Sequence, residues 1–299
     1  MLKIINNIAT DRLLPYIEWS YFFKTWQLNG KFPGIEQLCD CQSCEMAWLA
    51  QAKDREKAKE ALKLFRDAQA MLRQIIESQS LNIRALFGLF PAHSENDDIV
   101  VNKKYRLPML RQQEAKNDNA PYLSLADFIS PENDRIGLFA VSVSGADVLE
   151  KILENDDDIF NALLLKSLAD RLAEAAAEWL HEQVRKDFWG YAKDETLSVE
   201  EMKRSRYQGI RPAVGYPSLP DQSLIFRINE LIPLDKIGIT LTRNGAMLPH
   251  SSICGMMISH PKSAYFMVGK IGEDQLADYA RRSGKPTDEM RKWLGRNLR

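Results

Sequence analysis

The chain has 299 residues, which is enough for a substantial hydrophobic core in one large domain or two ordinary ones. Its 40 Lys and Arg residues nearly balance its 41 Asp and Glu residues, so bulk attraction to nucleic acid or to an anionic membrane is not expected. Its apolar runs are too short for a transmembrane helix, and polar residues interrupt any signal-peptide core near the N-terminus. Four Cys residues do not make a disulfide scaffold in a chain this long, and we expect a cytoplasmic protein.

The N-terminal half predicts helices and strands in mixed order. Aromatic residues crowd positions 11–34, which we interpret as an ordered, buried element. Apolar residues recur every three or four positions over 53–79 and predict a helix. Residues 84–101 predict a strand, a turn and a second strand, and the polar stretch 111–119 predicts an exposed connection. Residues 136–143 then predict a buried strand.

The C-terminal half opens with the clearest pattern in the sequence, an amphipathic helix over 157–187. The elements predicted after it are a short helix at 198–206, a Pro/Gly-rich loop at 209–220, a helix at 224–232, strands at 237–241, 252–258 and 264–271, and two closing amphipathic helices. Helices and strands do not alternate regularly. This favours an α+β fold, in which one domain over 1–299 has a central, mostly antiparallel sheet flanked by helices.

The sequence lacks the short motifs of the most familiar enzyme classes. It has no G-x-G-x-x-G dinucleotide fingerprint, no P-loop and no G-x-S-x-G nucleophile elbow. His181 and Glu182 lie on the long predicted helix, but Arg185 stands where a zinc-binding helix would place its second His. These classes are therefore excluded.

Three cysteines, Cys39, Cys41 and Cys44, form a C-x-C-x-x-C motif. Thiolates at this spacing can share a zinc ion or an iron–sulfur cluster. A fourth ligand is the difficulty, because Cys254 and the four His residues are distant in sequence. We therefore favour ordinary reduced thiols and predict no metal ligand, and a metal protein built on the three cysteines is the alternative.

The loop that begins at Gly209 reads G-I-R-P-A-V-G-Y-P. Its two prolines and two glycines fix a rigid, specially bent backbone. Arg211 and Tyr216 are the large polar residues of this stretch, and a guanidinium binds a carboxylate through two parallel hydrogen bonds. Two interpretations follow: the loop recognises a small anionic ligand, or it is a surface connector whose arginine is salt-bridged.

The R-x-x-x-G-Y-P pattern from Arg211 to Pro217 resembles the S-adenosylmethionine-binding motif of the activation domain of cobalamin-dependent methionine synthase. Other segments resemble that family in the same order along nearly the whole chain. They are Y-I-E-W and F-F-x-x-W within 16–26, L-A-D-R-L-A-E-A at 168–175, W-G-Y at 189–191, S-H-P at 259–261 and D-Y-A-R-R at 278–282. The combination identifies the chain as similar to this family.

The resemblance implies a site for S-adenosylmethionine as cofactor. Carried over position by position, the binding residues are Glu18, Glu174, Arg211, Ala213 (through its backbone), Gly215, Tyr216, Pro217, Tyr265 and Phe266. Arg211 would pair with the ligand carboxylate, and Glu18 and Glu174 would balance its positive groups. Tyr265 and Phe266 would offer aromatic surface to the adenosyl part. The family usually has Asp in place of Glu18 and often has Tyr in place of Phe266.

The resemblance also implies partners. Cobalamin would be carried by the cobalamin-binding domain or subunit of methionine synthase, and the loop at 246–249 would face its corrin ring. A flavodoxin-like donor would reduce cob(II)alamin, which would then take the sulfonium methyl group. Because the reduced cobalt would itself be the nucleophile, the resemblance implies positioning of the methyl group and no catalytic acid–base residue in this chain.

Two further expectations concern the chain as a whole. It has no D-x-H-x-x-G motif of cobalamin-binding domains, and its opening residues are typical of a natural start, so we expect a stand-alone activation subunit. The alternative is an S-adenosylmethionine-binding module that serves another corrinoid protein, or one that senses S-adenosylmethionine without methyl transfer.

Overall fold

An antiparallel sheet organises the fold. The computed structural model describes residues 1–39, 41–114 and 120–299. The strands in these ranges are β1 (Leu2–Ile5), β2 (Asn82–Glu95), β3 (Asp98–Val101), β4 (Tyr105–Pro108), β5 (Asp134–Ser144), β6 (Thr240–Leu241), β7 (Met247–Leu248) and β8 (Ser252–Met257). The helices are α1 (Thr10–Leu13), α2 (Trp19–Thr25), α3 (Gln42–Gln51), α4 (Arg55–Ser78), α5 (Ala146–Asn155), α6 (Ile159–Gln183), α7 (Val199–Lys203), α8 (Leu224–Leu231), α9 (Glu273–Ser283) and α10 (Thr287–Trp293).

The sheet is built around the long strand β2. Its path is β4-β3-β2-β5-β8, and β1 also pairs with β2, so six strands belong to it. β1 and β3 share one edge of β2, where Leu2 lies opposite Gly88 and Asp98 lies opposite Glu95. β5 runs along the other edge and connects β2 to β8. β6 and β7 form a separate two-stranded pair.

Successive side chains along a strand point to opposite faces of the sheet, and each face packs into its own hydrophobic core. On β5, Phe139 and Val141 enter a first core with α2, α4 and α6, whereas Leu138 and Ala140 enter a second core with α8. A third, smaller cluster lies between α9 and α10 and includes the buried Tyr279. Burial on both faces explains why β5 is almost continuously apolar in sequence.

The two long helices follow from their patterns and their N-terminal caps. The Asp54 side chain accepts a hydrogen bond from the Lys57 N–H at the start of α4, and Asp158 does the same for Asn161 at the start of α6. The chain then widens into one π-helical turn, Val184–Phe188, before it leaves the helix.

Most predicted elements are confirmed. The helices at 53–79 and 157–187, the strands within 84–101, 136–143 and 252–258, and the α+β class with a central antiparallel sheet all match the observed architecture. The predicted exposed connection at 111–119 lies partly outside the described residues, because 115–119 are among those that the structure does not describe.

One predicted strand is wrong, and another is shorter than predicted. Residues 264–271 contain no strand. Their backbone bonds to the 209–220 loop instead: the Val268 N–H donates to the Pro217 carbonyl at 3.0 Å, and the Phe266 N–H donates to Ser218 Oγ at 3.2 Å. The 237–241 strand shrinks to the two residues of β6, because a 3₁₀ turn ends at Ile237 and Gly238 follows with φ +78°.

None of the helices in the described part of the chain has the length and apolarity that crossing a membrane requires. This agrees with the short apolar runs of the sequence.

The contact between β8 and the 209–220 loop generates a stability prediction. A Cβ at Gly255 would lie 2.3 Å from the Pro212 carbonyl oxygen and 2.8 Å from Ala213 Cα, so Gly255→Ala must push the loop away. We expect a loss of about 1–3 kcal/mol in the free energy of unfolding, measured by urea denaturation.

Gly295→Ala is the matched control, because a Cβ at that glycine meets nothing within 4 Å. Equal stability of the two variants would contradict the close-approach account of Gly255.

Candidate ligand-binding cleft

A cleft of about 690 Å³ opens between the start of α2, α6, the 209–220 loop and the segment after β8. This volume is typical of small-molecule sites. Eight of the nine predicted site residues line it: Glu18, Glu174, Arg211, Ala213, Tyr216, Pro217, Tyr265 and Phe266. The ninth, Gly215, does not line the cleft. With φ +85° and a hydrogen bond from its N–H to the Leu219 carbonyl, it shapes the turn that presents Tyr216.

Helix α6 supplies the acidic wall. Its apolar residues, among them Leu172 and Ala176, are buried in the first core. The opposite stripe carries Arg171, Glu174 and Glu178 toward the cleft, at the helical spacings of three and four residues. Burial of one stripe therefore fixes which way the charged stripe faces.

Arg211 lies against this wall and forms ion pairs with it. Its Nε and Nη2 each lie 3.0 Å from Glu178 Oε2, and its Nη1 lies 3.7 Å from Glu174 Oε2. Burial alone would lower the pKa of Arg211, but the Glu178 and Glu174 carboxylates outweigh it and raise that pKa, so the guanidinium stays charged. One of the two interpretations of the loop, that its arginine is salt-bridged, is therefore correct for the contacts within the chain.

The loop that carries Arg211 pairs with β8 and the residue after it, at the edge of the sheet. The Ile210 and Ile258 backbones exchange two hydrogen bonds of 2.9 Å, and the Met256 N–H donates to the Pro212 carbonyl at 3.0 Å. The Arg211 N–H donates to the Tyr265 hydroxyl at 2.9 Å, which ties the loop to the segment after β8. Arg211 is therefore fixed from both ends, by its backbone and by its side chain.

Tyr216 and Glu174 form a second link between the loop and α6. The Tyr216 hydroxyl donates to Glu174 Oε1. Burial, followed by the neighbouring Glu174 carboxylate, raises the pKa of Tyr216, so its hydroxyl keeps the proton that it donates. Half of the Tyr216 side chain remains exposed at the cleft.

Glu18 and Phe266 occupy supporting positions. Glu18 is the N-cap of α2, and its carboxylate accepts from the Ser20 N–H at 3.3 Å. Phe266 is half-buried and lies with its ring centroid 6.4 Å from that of Phe128. Both residues line the cleft, but each also has a structural task.

Sequence reasoning missed several lining residues. They are Tyr16, Tyr21, Arg171, Glu178, Met202, Lys203, Ser205, Tyr207, Pro212, Ser218 and Met267. Glu178 is the most informative of these, because its Oε2 binds Arg211 while its Oε1 is buried without a hydrogen-bond partner among the described residues. Its place one turn after Glu174 on the acidic stripe was the available signal.

A buried polar layer lies beneath the cleft. His181 is fully buried, its Nε2 lies 3.4 Å from the Tyr191 hydroxyl, and its ring meets the Tyr207 ring edge-on at 4.9 Å. The Arg185 guanidinium lies 4.1 Å from the centroid of the Tyr207 ring. Its Nε and Nη2 donate hydrogen bonds to the Glu195 carboxylate. The layer supports Tyr207, which lines the cleft.

The buried imidazole generates a pH prediction. Burial, and then the positive charges of Arg185 and Arg211, hold the pKa of His181 well below its ordinary value. Below the ordinary pKa of about 6.5, the unfolded chain takes up a proton that the folded chain refuses. We therefore expect stability to fall as the pH drops below about 6.5, with a slope from this group approaching 1.4 kcal/mol per pH unit.

Urea denaturation between pH 7.5 and pH 5 measures this slope. His181→Gln should flatten the profile in that window. His250→Gln is the matched control, because its side chain is exposed and forms no hydrogen bond or ion pair among the described residues, and it should retain the wild-type slope. A wild-type slope retained in His181→Gln would assign the pH dependence to another group.

Comparison with known proteins agrees with this architecture. The family profile described as "Vitamin B12 dependent methionine synthase, activation domain" matches residues 9–284. Among solved structures, the chain is similar to the "Crystal Structure of the MetH Reactivation Domain bound to AdoHcy", with a TM-score of 0.87 and 40% identity over 100% of this chain and 90% of that chain. The predicted resemblance is confirmed: the chain belongs to the activation-domain family of vitamin B12-dependent methionine synthase.

Proposed function

We propose that this chain binds S-adenosylmethionine in the cleft and supports the reductive methylation of cob(II)alamin that reactivates cobalamin-dependent methionine synthase. Residues 1–299 would act as one activation domain. The observation that carries the proposal is the cleft itself, in which Arg211 and two glutamates of α6 meet within one ion-paired cluster. Family membership and a 40% identical relative bound to AdoHcy, the demethylated form of the ligand, support it.

The charges of the cleft fit this ligand. S-adenosylmethionine carries a carboxylate, an ammonium group and a sulfonium, so its site must offer both signs of charge. The cleft presents Arg171, Lys203 and Arg211 together with Glu18, Glu174 and Glu178. Its volume of about 690 Å³ accommodates a nucleoside joined to an amino acid.

Arg211 is prepared to receive the carboxylate. Glu178 occupies its Nε and Nη2, whereas Nη1 lies 3.7 Å from Glu174, beyond a direct hydrogen bond. A guanidinium has five N–H donors, so Arg211 can keep its contact with Glu178 and still bind a carboxylate. Because the side chain is already held in place, little rotamer entropy would be lost on binding.

The acidic side would receive the cationic groups. Glu174 is held by the Tyr216 hydroxyl through Oε1, and its Oε2 lies 3.7 Å from Nη1 of Arg211. Glu178 Oε1 is buried without a hydrogen-bond partner among the described residues. Glu174 Oε2 is therefore the acceptor that we assign to the ammonium group, whereas the buried Glu178 contributes its negative charge.

The reaction requires positioning from this chain. S-adenosylmethionine, when bound, supplies the methyl group that is transferred. The rigid loop and the α6 carboxylates would orient the sulfonium toward the open mouth of the cleft. The proposed reaction needs no general acid or base.

The mouth of the cleft is a suitable docking surface for the proposed partner, the cobalamin-binding domain or subunit of methionine synthase. Tyr216, Tyr265 and Met267 there are 49%, 46% and 59% exposed, and Leu248 of the predicted corrin-facing loop is 39% exposed. Exposed large apolar side chains around a site are typical of interaction surfaces. A flavodoxin-like electron donor is the reductant that the proposed reaction requires.

Calorimetric titration tests the ligand assignment. Because Arg211 is assigned to the carboxylate, Arg211→Ala should weaken S-adenosylmethionine binding by about 10- to 100-fold, as expected for a charge-assisted hydrogen bond. AdoHcy, which has the same carboxylate, should lose a similar factor. Methylthioadenosine, which has none, should lose much less affinity, and its loss measures the structural part of the Arg211 contact.

Arg206→Ala is the matched control, because Arg206 is close in sequence, 58% exposed and outside the lining of the cleft. If methylthioadenosine lost as much affinity as S-adenosylmethionine in Arg211→Ala, the arginine would be structural and the carboxylate assignment wrong.

Reconstitution tests the reactivation role against the sensor alternative. The chain should restore activity of a cognate methionine synthase whose cobalamin has been oxidised, when S-adenosylmethionine and a reductant are supplied. Ligand binding with no methylation of the partner's cobalamin would favour the alternative, a module that senses S-adenosylmethionine or serves another corrinoid protein.

A further inference from the structure

The three cysteines of the C-x-C-x-x-C motif converge in space. The Sγ atoms of Cys39, Cys41 and Cys44 all lie within 4.8 Å of one another, and those of Cys39 and Cys41 are 2.9 Å apart. Three thiolates on one tetrahedral zinc ion stand about 3.8 Å apart, given Zn–S bonds of about 2.3 Å. The observed separations, 2.9 Å for one pair and at most 4.8 Å for any pair, are close to this value, so small side-chain rotations would complete the arrangement.

The cluster is anchored by its surroundings. Cys41 is the N-cap of α3, and its sulfur accepts from the Cys44 N–H at 3.3 Å, which places both residues at the positive end of the helix. Arg66 on α4 donates to the Cys39 carbonyl at 2.9 Å and to Glu45 on α3 at 2.8 Å. One arginine thus joins the loop before α3, α3 itself and α4.

The cysteines take no part in the proposed methyl-transfer site. None of them lines the cleft, and Cys254, the remaining cysteine, is buried in the second core on β8. Cys39 and Cys44 are exposed and Cys41 is partly exposed, so an ion can reach all three sulfurs.

We propose that Cys39, Cys41 and Cys44 form a surface binding site for a thiophilic d10 cation, Zn²⁺, with three protein thiolates and a solvent molecule as fourth ligand. Soft thiolate ligands select Zn²⁺ over hard cations such as Mg²⁺ and Ca²⁺. Each thiol releases its proton to solvent as its sulfur binds the ion. An iron–sulfur cluster is disfavoured, because such clusters are held by four cysteines and Cys254 is buried elsewhere.

The charge balance suits this ion. Three thiolates and Zn²⁺ leave one net negative charge, and the N-terminus of α3 lies beside it. The sequence alone favoured ordinary thiols because no fourth protein ligand was near. An exposed site does not need one, since solvent can complete the tetrahedron.

Metal titration of the reduced, chelator-treated chain tests the proposal. We expect one Zn²⁺ per chain in competition with a chromophoric chelator, and Co²⁺ as substitute should give thiolate-to-metal charge-transfer absorption. Cys39→Ser and Cys44→Ser should each weaken binding at least about tenfold, and the triple Cys→Ser variant should abolish both the stoichiometric zinc and the Co²⁺ band.

Cys254→Ala is the matched control and should keep full zinc binding. Circular dichroism and S-adenosylmethionine titration on every variant separate loss of the metal site from loss of the fold. Equal zinc affinity in wild type and triple variant would overturn the proposal. So would Cu(I) binding without Zn²⁺ binding, or a reduced protein that takes up no metal.

Discussion

The ion pair between Arg211 and α6 is the interaction on which the cleft depends. It joins a loop and a helix that are far apart in sequence, and it sets two glutamates of one helical stripe on either side of one guanidinium. Without that cation the stripe would carry adjacent like charges, one of them with a buried oxygen that lacks a hydrogen-bond partner among the described residues. The charge of the loop therefore stabilises the helix face that the proposed ligand must meet.

The sheet gives this ion pair its geometry. β8 pairs with β5 on one edge and accepts the 209–220 loop on the other, and the missing side chain of Gly255 lets the loop backbone approach. α6 lies on the same sheet through the first core. The loop and the helix thus both pack on the same sheet, which fixes their relative positions. Arg211 Nη2 therefore lies 3.0 Å from Glu178 Oε2.

The sequence predicted what depends on periodicity and failed where tertiary contacts decide. The helix at 157–187 has one apolar face, and the strand at 136–143 is almost continuously apolar because both of its faces are buried, so both patterns are strong. The apolar run 264–271 resembles a strand. Its backbone N–H groups donate hydrogen bonds to the 209–220 loop instead of to a neighbouring strand, and no local pattern in the sequence reveals such a contact. In the cleft, Arg211 was found through its loop motif. The position of Glu178 on the acidic stripe of α6 marks a charged helix face, but it does not reveal the arginine 33 residues away that pairs with it.

The two interpretations of Arg211 that the sequence left open describe one arrangement. Glu178 holds two nitrogens of the guanidinium, and this contact fixes the direction in which Nη1 points. A salt-bridged arginine with a remaining donor is a better carboxylate receptor than a mobile one, because its conformational entropy has already been lost on folding. The same pairing leaves Glu174 Oε2 at 3.7 Å from Nη1, so one internal ion pair places an acceptor for a cation beside a donor for an anion. A zwitterionic ligand with an added sulfonium matches that juxtaposition of charges.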